Sequence, residues 1–106
     1  MTDEKNSYVY IIQCGNLPYY KVGISNKPES RLIDLQVANP HELSIILTVN
    51  MTRRHVREAE STIHRKYYKN NLRGEWFEFN KGELHKVRCD IVGFEHKKRE
   101  VTWREF

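Results

Sequence analysis

A chain of 106 residues is long enough for one small domain with a modest core, and too short for two. Hydrophobic residues make up 39% and charged ones 30%, an ordinary globular balance, with no run the length of a membrane span and no apolar leader after Met1. The formal charge is +4, and the two cysteines, Cys14 and Cys89, stand far apart in no metal-ligand spacing, so a reducing, cytoplasmic setting is expected.

Taken in chain order, the polar residues 1–6 read as frayed. Ser7 to Cys14 is rich in Tyr, Val and Ile and predicts a strand. Gly15-Asn16-Leu17-Pro18 is turn chemistry, and Tyr19 to Ser25 is the returning strand of a hairpin. Ser25 or Asn26 is placed to cap a helix, with Pro28 in its first turn and Leu32 and Leu35 on its buried side. Asn39-Pro40 ends that helix, because a residue before proline avoids the helical region. Residues 43–49, apolar but for Ser44 and Thr48, predict a central strand.

A basic helix follows over about 52–69, with Val56, Ala59, Ile63 and Tyr67 at helical spacing. Residues 70–74 read as a loop and 76–79 as a short strand closing the core, with Trp76 and Phe77 inside it. Leu84, Val87, Ile91 and Val92 mark a last amphipathic helix that Asn80 can cap, and residues 99–106 read as either an added strand or a tail. The order is β-β-α-β-α-β-α, an α+β (mixed α/β) domain over 1–106 with a small antiparallel or mixed sheet flanked by helices. The hairpin rules out a purely parallel, doubly wound sheet.

The positive charge is concentrated. Between Thr52 and Arg73 seven Lys or Arg stand against Glu58 and Glu60, leaving the rest of the chain close to neutral. Such a face is the footprint of a phosphate-backbone binder, although a solvated helix face has the same composition. Arg53, Arg57 and Lys66 are its candidate substrate contacts.

Side chains alternate along a strand, so Tyr8, Tyr10 and Ile12 share one side of the first strand, and Tyr19, Lys21, Gly23 and Ser25 share one side of the second. If the turn pairs Cys14 with Tyr19, Tyr10 lies opposite Gly23 and diagonal to Lys21. A phenol and an amine then flank a glycine whose missing side chain leaves room for a phosphate, with Ser25 beside it. Arg31, one to two turns into the first helix, is positioned to grip a phosphate with paired hydrogen bonds. Glu60 and His64 are neighbours four apart on the basic helix; Glu60, beside the apolar stripe, should face the sheet margin, and His64 either polarises the phosphate or packs beside Tyr67. One carboxylate completed by waters and substrate oxygens is a usual holder of magnesium at phosphoryl-transfer sites. A phenol, an amine, a guanidinium and a carboxylate suffice to cut a phosphodiester with one metal ion. Taken singly, each has a plainer reading in the core or on the surface. Glu75 reads as structural beside Trp76-Phe77, and His41, His55, His85 and His96 form no metal-ligand spacing.

The ordered set resembles the GIY-YIG endonuclease superfamily, in its small phage-associated branch. Tyr8-Val9-Tyr10-Ile11-Ile12 is similar to the first motif and Lys21-Val22-Gly23-Ile24-Ser25 to the second. Arg31 falls at the helix arginine, Glu60-Ser61-Thr62-Ile63-His64 on the metal-glutamate helix, and Gly74-Glu75-Trp76-Phe77 at the closing signature. The likeness spans about residues 8–79. It implies DNA hydrolysis with one divalent ion, Mg2+ or Mn2+, on Glu60, with Arg31 as the phosphate clamp and Tyr10 orienting or deprotonating the attacking water. Lys21 replaces the second motif's tyrosine, and serves either as general base or only as a phosphate contact. The alternative is a catalytically weak or inactive module that binds nucleic acid or a host protein. RNA as a substrate, and a monomer against a homodimer, stay open.

Overall fold

Strands β1 (Ser7–Cys14) and β2 (Tyr19–Ser25) pair antiparallel, with Tyr10 opposite Gly23 and Ile11 opposite Val22. This is the expected register. The computed structural model describes residues 4–98, so the alternatives for 99–106, and the first three residues, lie outside the described part. After the hairpin come α1 (Pro28–Gln36), β3 (Leu43–Met51), α2 (Arg53–Lys66), a 3-10 turn (Tyr68–Asn70), β4 (Asn71–Arg73), β5 (Trp76–Glu78) and α3 (Lys81–Lys98). The sheet order is β3-β1-β2-β5-β4, with every pairing antiparallel. The α+β class is as expected. Among the described residues no helix is long and apolar enough to cross a membrane.

The run 43–49 does not make a central strand; β3 is an edge strand. Its apolar character has another cause, since helices lie over both of its faces. A bulge opposite Ile11 and Ile12 inserts Ile46, so Leu43 and Ile45 face one side while Leu47 and Val49 face the other. Alternation is thereby masked in the sequence.

The two faces have separate cores. On one, Val9, Ile11, Tyr20, Val22 and Phe77 pack beneath Val56, Ala59 and Ile63 of α2 and Val87 and Ile91 of α3. Each of the larger aliphatic side chains buried there contributes about 1.5–3 kcal/mol. On the other, Tyr10, Ile12, Cys14 and Leu43 meet Leu32 and Leu35 of α1. Both cysteines are free, Cys14 buried and Cys89 exposed.

Helix ends differ from expectation in detail. The α1 N-cap is Lys27, with no side-chain cap; Ser25 Oγ instead accepts from the Lys27 N–H at 2.9 Å. That helix stops at Gln36, before Asn39-Pro40. Helix α2 is capped by Thr52, whose hydroxyl accepts from His55 N–H at 3.2 Å, and it tightens into the 3-10 turn after Tyr67. Asn80 and Glu83 exchange side-chain and backbone hydrogen bonds at 2.7 and 2.9 Å, a capping box for α3. Val92 is 40% exposed, off the buried stripe, and Phe94 packs on the core instead.

Candidate active site

The residues 70–74 expected as a loop contain β4, which folds back on β5 through the two-residue turn Gly74-Glu75, with Arg73 opposite Trp76. Gly74 has φ +57°, the left-handed conformation that such a turn requires of its first central residue. The turn presents Glu75 to β2. Its backbone carbonyl accepts from the Val22 N–H at 3.0 Å, and its Oε1 accepts from Lys21 Nζ at 2.8 Å. The Lys21 ammonium also lies 5.9 Å from the Trp76 ring centre. Lys21, expected as general base or phosphate contact, thus has a carboxylate as its partner.

Gly23 is a point of close approach. A Cβ there would stand 2.6 Å from the Tyr10 hydroxyl and 2.9 Å from Glu75 Oε1. The space expected to receive a phosphate is therefore bordered closely by these two groups, and the missing side chain of Gly23 is what lets both approach it. Tyr10 is 1% exposed, and burial raises its pKa, with a hydrogen bond from Arg31 acting in the opposite direction. Its hydroxyl is thus a neutral phenol between a guanidinium and a carboxylate.

Helix α2 lies on the sheet face opposite Tyr10, yet Glu60 joins the group. Pairing of β2 with β5 stops at Lys21 and Trp76, and Glu60 and His64 come in at the margin beyond it. His64 Nε2–H donates to the Val22 carbonyl at 2.9 Å, satisfying a backbone group that β5 no longer reaches, and its ring stands edge-on to Phe77 with centres 4.9 Å apart. His64 therefore anchors α2 to β2, and its Nε2 faces main chain rather than the open site. It also lies 3.9 Å from Glu60 Oε2.

Glu60 Oε2 is buried with no hydrogen-bond partner among the described residues. Burial, then a hydrogen bond and charge repulsion from Glu75, push the Glu60 pKa up to about 7. For Glu75 burial acts upward too, but hydrogen bonds from Lys21 and Glu60 outweigh it and hold the carboxyl below its ordinary value. Of the two carboxyls Glu60 is therefore the one that holds a proton more readily, and Glu75 the one that stays ionised. An unsatisfied carboxylate oxygen beside a second carboxylate suits a hard divalent cation. No group of three or more His, Cys, Asp or Glu among the described residues is placed to hold one alone, so water and substrate oxygens would complete its shell.

The structure thus brings together Tyr10, Lys21, Gly23, Arg31 and Glu60, with His64 behind them. Ser25, Arg53 and Arg57 border an adjoining hollow. Lys66 does not join: its Nζ is bound to Asp90 of α3 at 2.8 Å. The residue that sequence reasoning passed over is Glu75. Its signal was the Gly-X pair between two short β-prone segments, Leu72-Arg73 and Trp76-Phe77.

The sequence model of the T5orf172 domain matches residues 7–92, from β1 through most of α3. The chain belongs to the T5orf172 domain family. This phage-associated domain is related to nucleases of the GIY-YIG and HNH types. No curated protein and no solved structure matches the chain. As a T5orf172 domain, it is a phage-type, nuclease-like or nucleic-acid-binding module, and the cluster over Gly23 lies wholly within the matched residues.

Proposed function

We propose that this T5orf172 domain is a divalent-cation-dependent endonuclease of GIY-YIG type that hydrolyses phosphodiester bonds in DNA. The observation that carries the reading is the convergence of Tyr10 and Glu75 on the space over Gly23, beside the buried, unpartnered Oε2 of Glu60. A binding module has no need of a carboxylate oxygen held dry and unsatisfied, which costs about 1–3 kcal/mol or more. Glu60 would hold the cation, Mg2+ or Mn2+, with Glu75 beside it. When bound, the ion supplies Lewis-acid polarisation of the phosphate and charge stabilisation at the leaving oxygen.

The chain's own residues do the rest. The Tyr10 phenol, neutral and fixed by Arg31, orients a water by hydrogen bonding. Glu75, kept ionised by Lys21, is the acceptor for that water's proton. Arg31 faces the charge that develops on the phosphate oxygens. His64 positions the Glu60 turn of α2 against β2.

The test is nicking of supercoiled plasmid in Mg2+ or Mn2+ by the wild type and by Glu60→Ala. Nicking by the wild type that disappears in the variant, and on chelation, supports the enzyme. An intact plasmid and an uncut gapped duplex, with DNA binding retained in both proteins, would make the domain a binding module. Equal nicking by both would remove Glu60 from the site.

A further inference from the structure

The face of α2 that carries Glu60 continues toward the helix N-terminus through Arg57 and Arg53, roughly one and two turns away. These arginines border a hollow of about 410 Å3, whose walls include Asn6, Ile24, Asn26 and Val56. Ile24 directly follows Gly23 in β2, so the hollow adjoins the carboxylate cluster along both strand and helix.

Its lining defines what it would take. Arg53 and Arg57 have no carboxylate partner among the described residues, so two guanidiniums face the hollow uncompensated. That suits a phosphate. The Asn26 carboxamide has no hydrogen-bond partner among the described residues, and Asn6 uses only its Oδ1, which accepts from Ser7 Oγ at 3.4 Å. Carboxamides offer donor and acceptor side by side, the pattern of a base edge. Ile24 and Val56 give an apolar floor for a base or sugar. A phosphate contact alone needs no concavity, since arginines on a convex surface make it equally well. A volume of about 410 Å3 falls in the range of small-molecule sites, about 300–1,000 Å3.

We propose that this hollow receives one unpaired nucleotide of the strand next to the scissile phosphate. Arg53 and Arg57 hold its phosphate, and Asn6 and Asn26 meet its base edge above Ile24 and Val56. A base inside a continuous duplex is stacked and paired and does not enter such a hollow without being extruded. The substrate class is therefore DNA with an unpaired nucleotide beside the cut, such as a gap or flap. This rests on the nucleic-acid reading above and sharpens it.

The experiment uses the full chain carrying Glu60→Gln, so that bound DNA is not cut. Fluorescence anisotropy compares a continuous duplex with a duplex of the same sequence containing a short single-stranded gap. The gapped probe is expected to bind about tenfold tighter, the scale of one good base contact. Adding Asn6→Ala and Asn26→Ala should abolish that preference while leaving duplex affinity unchanged. Adding Arg57→Ala should weaken binding to both probes and reduce the salt slope by about one. All three side chains are exposed, so these substitutions spare the core. Equal affinity for the two probes, or a preference that survives loss of both asparagines, overturns the proposal. Cutting of the gapped duplex and of plasmid by the unsubstituted chain, in Mg2+ or Mn2+, reports separately on the enzyme. Cutting without probe preference removes the nucleotide hollow and keeps the nuclease; probe preference with neither the plasmid nor the gapped duplex cut does the reverse.

Discussion

The Tyr10 hydroxyl occupies the position that a side chain at Gly23 would need, 2.6 Å from where its Cβ would stand. Tyr10 is fully buried and pinned between β1 and α1, so it has no free direction in which to yield. Gly23→Ala is expected to destabilise the domain by about 1–3 kcal/mol through overpacking. Tyr10→Phe removes the nearest atom but leaves Tyr10 Cζ, 2.8 Å away, in conflict. In thermal denaturation the double variant should therefore recover part of the loss and not all of it. Strict additivity of the two changes would show that the close approach is not what makes position 23 a glycine.

Glu75 ties three parts of the site together: Lys21 by an ion pair, β2 through its backbone carbonyl, and Glu60 by a hydrogen bond. Its side chain is 38% exposed, so replacing it disturbs the core little. Glu75→Gln is nonetheless expected to lower the melting temperature, because it leaves the Lys21 ammonium, only 9% exposed, without its counter-ion, and to lower the nicking rate by about 100-fold or more, as loss of a general base does. A nicking rate within twofold of wild type would return Glu75 to a structural role.

The pH dependence of stability has a definite sign. The Glu60 pKa is raised from 4.5 to about 7 in the folded chain, so the folded state holds a proton that the unfolded state has released across that window. The stabilisation linked to that proton is fully present below about pH 4.5 and is lost as pH rises through about 7. Glu75, with its pKa lowered, acts in a different window: its contribution is present above its unfolded pKa and is lost only as pH falls below that. From pH 5 to pH 8 the metal-free wild type should therefore lose melting temperature relative to Glu60→Gln. Mg2+ or Mn2+ should restore it at pH 8 in the wild type alone, because the cation needs the deprotonated carboxylate. Parallel pH profiles for the two proteins would contradict the buried, protonated Glu60.

Lys66 separates charge from function. It belongs to the basic run of α2, but it is held by Asp90 and lies 5.5 Å from the Tyr67 ring centre. Lys66→Ala is expected to leave both the nicking rate and the salt dependence of DNA binding unchanged, with about 0–1 kcal/mol lost from an exposed pair. Arg57→Ala, by contrast, should flatten the salt dependence. A marked loss of DNA affinity in Lys66→Ala would place the DNA across the α2–α3 face instead.

Much of the fold was legible because its signals are local. The hairpin register follows from turn length and alternation between Ser7 and Ser25, and α2 from the spacing of Val56, Ala59 and Ile63. The β3 position was not legible, because a strand covered on both faces and bulged at Ile46 reads as central whether or not it has a second neighbour. Strand β4 has three exposed residues and no apolar pattern, and only its pairing with β5 makes it a strand.

For the site, the sequence by itself determined which chemical groups are available and that Tyr10 and Gly23 face one another, since both follow from periodicity two along paired strands. Only the tertiary structure decided what those groups do to each other. It bordered the space over Gly23 with Tyr10 and Glu75, gave Lys21 a carboxylate partner, turned His64 to the backbone of β2, bound Lys66 to Asp90 and brought Glu75 beside Glu60. Charge, burial and hydrogen bonding depend on distances of a few ångströms between residues far apart in the chain, and no local pattern encodes those distances.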